Sequence, residues 1–467
     1  MGTEGGPALL FLSPIMPGVS GNGLAMRAGA TLEALAADYE VHLLVIPVAG
    51  SGPGSESGSA GEPGSAREPG SAREPGSAGE PGSAVRRWCA RILVHQIERH
   101  VDPHFGLIAG VRDPQEQLSA LLAYPRPSLG RFATSASVRE AAELAAGPHY
   151  QAVHVLRLYL APFAEPYLAA RELAAGAAGR GAGAAGRGAG AAGRRPGCRL
   201  DLDDYEPATR RRIAGLLRQN GDERDALVQE WEASRYEALA AAMLPRFDRV
   251  YVASAADRAP VAAQYPGTDV AVLENVIRLP GPRAASPPPS ASVSAADEPF
   301  TFLFVGSFGY YPNDDAARYF CGKVLPLLRA AAPRPFRVRL VGADPTAAVR
   351  LLAAMPDVTV TGPVADVTPW YESASAVIVP VRAGGGTRIK VLEAFAHERP
   401  VVATTAGAEG LEVTAGRHLL IADSAGDFAA CCGRLMRDPV LGRKLASQGT
   451  AFARLRAPDR LRECLAV

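Results

Sequence analysis

The chain has 467 residues, with 49 Lys and Arg against 48 Asp and Glu; 48% of it is hydrophobic and 21% charged. That length is about three times a ~150-residue domain and predicts two domains plus accessory segments. A formal charge of +1 argues against a nucleic-acid partner, which asks for a clearly basic face, and no apolar run reaches the ~18–20 residues of a membrane span. The opening Met1-Gly-Thr-Glu-Gly-Gly6 lacks a basic region followed by an apolar stretch, so no signal peptide is expected. The six cysteines are scattered without metal-ligand spacing and read as reduced thiols of a cytoplasmic protein; neither a metal nor a cofactor is expected. Arginine dominates the basic residues, and lysine occurs only at Lys323, Lys390 and Lys444.

In chain order, 8–13 reads as a strand ending in a Pro/Gly loop, 24–37 as a helix with apolar residues at Leu24, Ala28, Leu32 and Leu35, and 40–46 as a second strand, which together make a βαβ unit. Residues 50–84 repeat Glu-Pro-Gly-Ser-Ala units and 174–197 hold a Gly-Ala-Ala-Gly-Arg repeat. Neither carries enough apolar surface to offset backbone ordering, so both are predicted to be low-complexity insertions. Strands are predicted at 152–156, 199–203 and 248–253, with a long charged helix at 222–244. The Pro/Ser/Ala-rich stretch 279–298 reads as a linker. Beyond it strands are predicted at 300–305, 336–341, 358–361, 376–380, 400–404 and 418–421, with helices such as 314–330 and 388–397 between them. Apolar strands alternating with helices imply α/β architecture: two Rossmann-like, doubly wound parallel-sheet domains, 1–278 and 299–467, facing a cleft. The last helix is a candidate to pack back on the first domain.

Ligands of such sheets bind at the carboxyl ends of the strands. Four loops there are rich in glycine or charge. The first, Met16 to Arg27, places Gly21 and Gly23 ahead of a helix; Met26 stands where a dinucleotide fingerprint needs its third glycine. The second, Val305-Gly-Ser-Phe-Gly-Tyr-Tyr-Pro-Asn-Asp314, offers Gly306 and Ser307, with Asn313 or Asp314 expected to cap the next helix. The third, Pro380-Val-Arg-Ala-Gly-Gly-Gly-Thr-Arg-Ile-Lys-Val-Leu-Glu393, runs from a strand through three glycines into a helix whose first turn carries Thr387, Arg388 and Lys390. Cations oppose the dipole at a helix N-terminus unless an anion sits between them, and a diphosphate would serve. Glu393, one turn on, suits two vicinal ribose hydroxyls or a surface pairing with the bases. The fourth loop, Thr404 to Leu411, could complete a phosphate cradle or be a plain turn.

From 301 to 437 the chain resembles the donor-binding domain of retaining family 4 (group 1) glycosyltransferases, which have the GT-B fold. The matching pieces, in order, are Val305-Gly-Ser-Phe308 with Asn313, Leu340-Val-Gly342, Val360-Thr-Gly-Pro-Val364, Trp370 to Pro380, Gly384 to Ala396, Pro400-Val-Val-Ala-Thr404 and Gly407-Ala-Glu-Gly-Leu411. The N-terminal half is similar more loosely, at Gly21-Asn-Gly23, Val153-His-Val155, Asp201-Leu-Asp-Asp-Tyr-Glu206 and Asn275-Val276.

The resemblance implies a hexosyl-type transferase that uses a nucleotide-diphosphate sugar as co-substrate and a hydroxyl acceptor (glycan, lipid or metabolite), with retention of configuration and without a metal. It implies donor contacts from Gly306, Ser307, Gly385, Gly386, Thr387, Arg388 and Lys390, with the ribose on Glu393. Two departures stand out. The first glutamate of the family's E-x7-E motif would fall at Gly385, and the basic pair that often follows the first donor-domain strand is missing, which leaves Arg388 and Lys390 to take the diphosphate. In the first domain Gly23 lies in the glycine loop, and His154 and Arg157 compete for the family's active-site histidine. An epimerase of sugar nucleotides and a non-catalytic sugar-nucleotide-binding partner protein stay open as alternatives, as does peripheral membrane contact.

Overall fold

The structure, a computed structural model, describes residues 6–48, 82–180, 196–281, 298–386 and 388–465. The first domain is built on strands β1 (Ala8–Ser13), β2 (Glu40–Val45), β3 (Arg91–Val94), β4 (Ala152–Leu156), β5 (Gly197–Asp201), β6 (Arg249–Val252) and β7 (Val270–Val272). They pair in the order β3-β2-β1-β4-β5-β6-β7. The second domain has β8 (Phe300–Val305), β9 (Phe336–Val341), β10 (Val358–Val360), β11 (Ala376–Val379), β12 (Val401–Ala403) and β13 (Leu420–Ile421), in the order β10-β9-β8-β11-β12-β13. Every named pairing is parallel. β1, apolar up to Ser13, and the apolar β11 are wholly buried, as strands covered by helices on both faces must be. Register follows burial: Leu9 lies opposite Val41 on one side and Ala152 on the other.

Strand order reverses at β1/β4 and at β8/β11, the two places where a doubly wound sheet opens a crevice. The loops after these four strands carry Gly21 to Gly23, Arg157, Gly306 and Gly384 to Gly386. Both crevices open toward the same space between the domains.

Three expectations are revised. The strand predicted at 199–203 is Gly197–Asp201, because the chain turns out of the sheet after Asp201. Asp203 takes a φ of 56° and its amide donates to Asp201 Oδ1 at 2.9 Å. The helix Glu165–Arg180 continues into the predicted 174–197 insertion, where alanine favours helix, and β5 begins at Gly197. The remaining 181–195 lies outside the described residues, as do 50–81 of the first insertion and 282–297 of the linker. Finally, neither Asn313 nor Asp314 caps the helix Tyr311–Tyr319. It starts earlier, with no side-chain cap, and runs through a π turn at Phe320–Val324 into Leu325–Ala331. The short edge strands β3 and β7 and the helices Pro103–Ala109, Pro114–Ala123 and Glu206–Gln219 add to the expected elements.

The domains interlock in both directions. The last helix, Asp459–Leu465, places Leu461 and Leu465 in the first domain's core beside Leu9, Phe11 and Leu32, and Arg199 Nη1 donates to Leu465 O at 2.9 Å. From the other side, Ile213, Ala214 and Leu217 of the Glu206–Gln219 helix pack against Tyr310 and Tyr311. Asn220 reaches Tyr311 Oη at 2.8 Å and Asp315 at 2.9 Å. Among the described residues no helix is long and apolar enough to cross a membrane.

Candidate functional site

A cleft of about 950 Å³ separates the two domains and takes its walls from both. On the second domain's side, β8 delivers Gly306 and Ser307, and β11 delivers Gly385 and Gly386 ahead of the helix Ile389–Ala396. Lys390 and Glu393 line the cleft from that helix, with Arg388 just before it.

Glycine is required here for space. A Cβ on Gly306 would lie 3.0 Å from Asn313 Nδ2, and one on Gly385 would lie 1.8 Å from Thr209 Oγ1 and 2.1 Å from Asp204 Oδ1, both groups of the opposite domain. The helix start has no side-chain cap, so its first amides are not satisfied by a capping oxygen. Thr387 lies outside the described residues.

The cations divide their work. Arg388 is buried and binds the loops around it: Nε donates to Ala406 O at 2.9 Å and Nη1 to Gly385 O at 2.9 Å, while Nη2 has no hydrogen bond and stands 3.7 Å from Glu409. It therefore shapes the glycine loop at least as much as it faces a ligand. Lys390 Nζ donates to Asn313 Oδ1 at 2.6 Å, and Asn313 Nδ2 in turn donates to Ser307 O at 2.8 Å. Asn313, expected as a helix cap, instead ties the Ser307 loop to the helix that carries Lys390. Glu393 accepts from Tyr371 Oη at 3.2 Å. Burial raises its carboxyl to about 7 against the pull of Tyr371 and Lys390. The loop 404–411 is not among the cleft's lining residues. Its Thr404 Oγ1 accepts from Gly407 N at 2.8 Å and it buttresses Arg388 through Ala406 O, so it is a support and not a cradle.

The first domain's wall carries Gly23, Arg157, Asp203, Asp204, Glu206, Thr209 and Asn275. Gly23 abuts the opposite helix; a Cβ there would lie 3.0 Å from Ile389 Cδ1. Arg157 has a φ of 80°, a strained conformation for a residue with a side chain. The strain is held by its amide, which donates to Asp201 O at 2.7 Å. Its Nη1 lies 3.6 Å from Asp203 and its Nη2 3.8 Å from Glu206, yet Nε and Nη1 are buried without a hydrogen bond.

His154 is elsewhere. It sits in the middle of β4 with no exposure, against the rings of Phe11 and Tyr251, and does not line the cleft. Neither ring nitrogen has a partner. Burial, with Arg199 and Arg27 nearby, lowers its pKa to about 3, so it is a neutral core residue. In a strand, a shift of two positions keeps the face but moves the side chain two residues along, and only the chain leaving β4 at Arg157 reaches the cleft.

Two features were not anticipated. Arg27 is buried and binds Asp201 in bidentate fashion (2.8 and 2.7 Å), Asn275 Oδ1 (2.9 Å) and Leu273 O (3.0 Å), which locks the first helix to the strands beneath it. This pairing occupies both carboxylate oxygens of Asp201. Among the described residues no group of three or more His, Cys, Asp or Glu side chains is placed to hold a metal. The second feature is Asp204, which the Asp201-Leu-Asp-Asp sequence brings to the far wall of the cleft. The cleft is also lined by the apolar side chains Phe105, Ile108, Leu118, Leu121, Val228 and Trp231, interspersed with Gln117, Arg131, Arg224, Asp225 and Glu232.

Residues 299–438 match the model of the family described as glycosyl transferases group 1. A trehalose synthase from Rubrobacter xylanophilus is 32% identical over 84 residues, which span 18% of this chain and 20% of that protein, so the match covers about a fifth of that relative's length. Among solved structures, sucrose-phosphate synthase from Thermosynechococcus elongatus is similar with a TM-score of 0.55 at 15% identity, over 98% of this chain and 97% of that one. HepE from Anabaena in complex with UDP-glucose is similar with a TM-score of 0.53 at 14% identity, over 98% of each chain. At such identities the structural likeness is one of fold. Residues 299–438 thus resemble a group 1 glycosyltransferase domain, and the whole chain has the two-domain GT-B fold.

Proposed function

We propose that the chain is a glycosyltransferase that moves a hexosyl-type sugar from a nucleotide-diphosphate sugar to a hydroxyl acceptor, with retention of configuration and without a metal. One observation carries the reading. The uncapped helix start behind Gly385 and Gly386, Lys390, and the Gly306-Ser307 loop share one wall, with Glu393 one turn deeper and Arg157 opposite. A helix start without a side-chain cap and a lysine suit a diphosphate. Glu393 suits a pair of ribose hydroxyls. The structural neighbour HepE was solved with UDP-glucose, which fits the same class of donor.

In the reaction proposed, the bond from the anomeric carbon to the diphosphate oxygen breaks as the acceptor oxygen bonds to the same face. The acceptor's proton passes to the leaving diphosphate. Lys390 and the loop amides hold the charge that builds on that leaving group, a role that needs preorganised donors more than a strong base. In this reading Arg157, strained and short of hydrogen bonds, faces the same charge from the first domain. The apolar side chains from Phe105 to Trp231 favour an acceptor whose body packs on carbon as well as offering a hydroxyl. Free cysteines throughout suit a reducing, cytoplasmic setting.

The test is a thermal-shift panel of UDP, GDP, ADP and dTDP with their sugars, followed by NMR of the product anomer with and without EDTA. A shift with one base, an unchanged anomeric configuration and insensitivity to EDTA are expected. No shift with any of the four would reject the donor site, and a loss of turnover in EDTA would reject metal independence.

A further inference from the structure

The cleft contains a carboxylate for which the second domain's own chemistry gives no use. Asp204 lies on the first domain, in the turn between β5 and the Glu206–Gln219 helix, yet it reaches across the gap to the glycine loop of the second domain. Its Oδ1 would stand 2.1 Å from any Cβ at position 385, so the carboxylate lies directly against the Gly385 backbone. Thr209 Oγ1 donates to that same Oδ1 at 2.6 Å and fixes the side chain. No other side-chain hydrogen bond to Asp204 forms among the described residues, and it lines the cleft. Arg212 of the same helix donates to Gly384 O at 3.2 Å, so the approach is held by a second contact between this turn and this loop.

Position matters as much as proximity. If the diphosphate rests on the helix start at Arg388 to Lys390, the group attached to it lies beside Gly385 and Gly386. A hexose there presents vicinal hydroxyls, and a carboxylate accepting from them makes charge-assisted hydrogen bonds. The glycine loop has no side chain of its own for this purpose, and a side chain at 385 could not coexist with Asp204 and Thr209. Burial and the nearby Glu206 raise the Asp204 carboxyl against the pull of Arg157 and Thr209. A carboxylate held in such surroundings gains from hydroxyl donors brought by a ligand.

We propose that Asp204 holds the hydroxyls of the transferred sugar, so that the donor is completed by a carboxylate supplied from the opposite domain. The inference rests on the donor reading of the cleft. It makes sugar recognition depend on the closed arrangement of the two domains, because the diphosphate and the sugar are gripped from different sides.

The experiment compares binding of the nucleoside diphosphate that stabilises the full chain with binding of its glucose, galactose and mannose conjugates, by calorimetry. In wild type the preferred conjugate should bind more tightly than the bare diphosphate. Asp204→Asn should lose about ten-fold or more in affinity for that conjugate while changing affinity for the diphosphate less than two-fold. Thr209→Val, which keeps the carboxylate, should lose less. A carboxylate moved across the gap, in the variant Asp204→Gly, Thr209→Ala, Gly385→Glu, should recover part of the sugar affinity that Asp204→Gly alone lacks. Equal losses for conjugate and diphosphate, or no loss for either, would overturn the role of Asp204 and leave the donor site intact. If no diphosphate binds wild type, the donor reading falls, and this inference with it.

Discussion

The two glycine loops that face each other across the cleft show how one local pattern is put to different ends. Each follows a buried strand, clears space with glycine and opens a helix; they meet where Gly23 abuts Ile389. The first helix end is satisfied from within. Asn22 Oδ1 accepts from Ala25 N at 2.8 Å, and the only cation of its early turns, Arg27, points down into a buried pair with Asp201. The second helix end has no side-chain cap and keeps Lys390 on the cleft wall. A capped terminus with an internal cation is architecture. An uncapped terminus with a cation at the surface of a cleft leaves its positive field for a ligand.

Substitutions at matching places should separate the two ends, and the largest effect is expected at Gly385. Gly385→Ala puts a methyl 1.8 Å from Thr209 Oγ1 and should lower kcat/KM by about 10²-fold, since a misplacement of about 1 Å at a reacting centre has that scale. Gly23→Ala meets only the flexible end of Ile389 and should cost far less; equal effects on steady-state kinetics would erase the distinction. Next comes Arg27→Met, which leaves Asp201 buried and unpaired and should destabilise the fold by about 3–5 kcal/mol in denaturant melts. The folded fraction should retain its donor affinity. Lys390→Ala should do the reverse, raising donor KM by roughly ten-fold or more for a lost charge-assisted bond of ~1.5–3 kcal/mol, with stability little changed. Lys444→Ala serves as the control.

Glu393 sharpens the comparison through pH. Its carboxyl is raised from 4.5 to about 7, so in the empty enzyme it contributes stability that is fully present below its unfolded value and fades as pH rises through 7. The ionised form is the one that accepts two hydroxyls. Donor affinity should therefore increase by roughly ten-fold between pH 6 and 8, and Glu393→Gln should flatten that profile. A profile that stays steep in the Gln variant would assign the titration elsewhere. The smallest effect is expected at His154: His154→Leu removes two unpartnered ring nitrogens from the core and should leave kcat within two-fold. A large fall in kcat without loss of fold would return His154 to the mechanism.

Much of the fold is legible because its cause is local. β4, β8 and β9 begin and end where strands are predicted, and β1 does the same. Strand-length apolar runs separated by helical periodicity permit little besides a covered parallel sheet. β3 and β7 escaped because edge strands of three or four residues carry too few side chains to show a period. In the site, Gly385, Gly386, Arg388, Lys390 and Glu393 fall within one short stretch of the chain, so their shared wall could be read from one loop and one helix turn. Asp204, Thr209 and Asn313 act through partners 77 to 181 positions away in the chain, which no spacing rule reports.

The sequence by itself determined the two parallel-sheet domains, the glycine-rich helix start and the chemistry at its mouth, because each depends on neighbours within a few residues. Only the tertiary structure decided that His154 is core, that Arg27 is a lock, that Asn313 is a tie and that Asp204 reaches the opposite loop. Those assignments depend on which strand ends share a crevice and how closely two backbones approach there, and both are properties of packing.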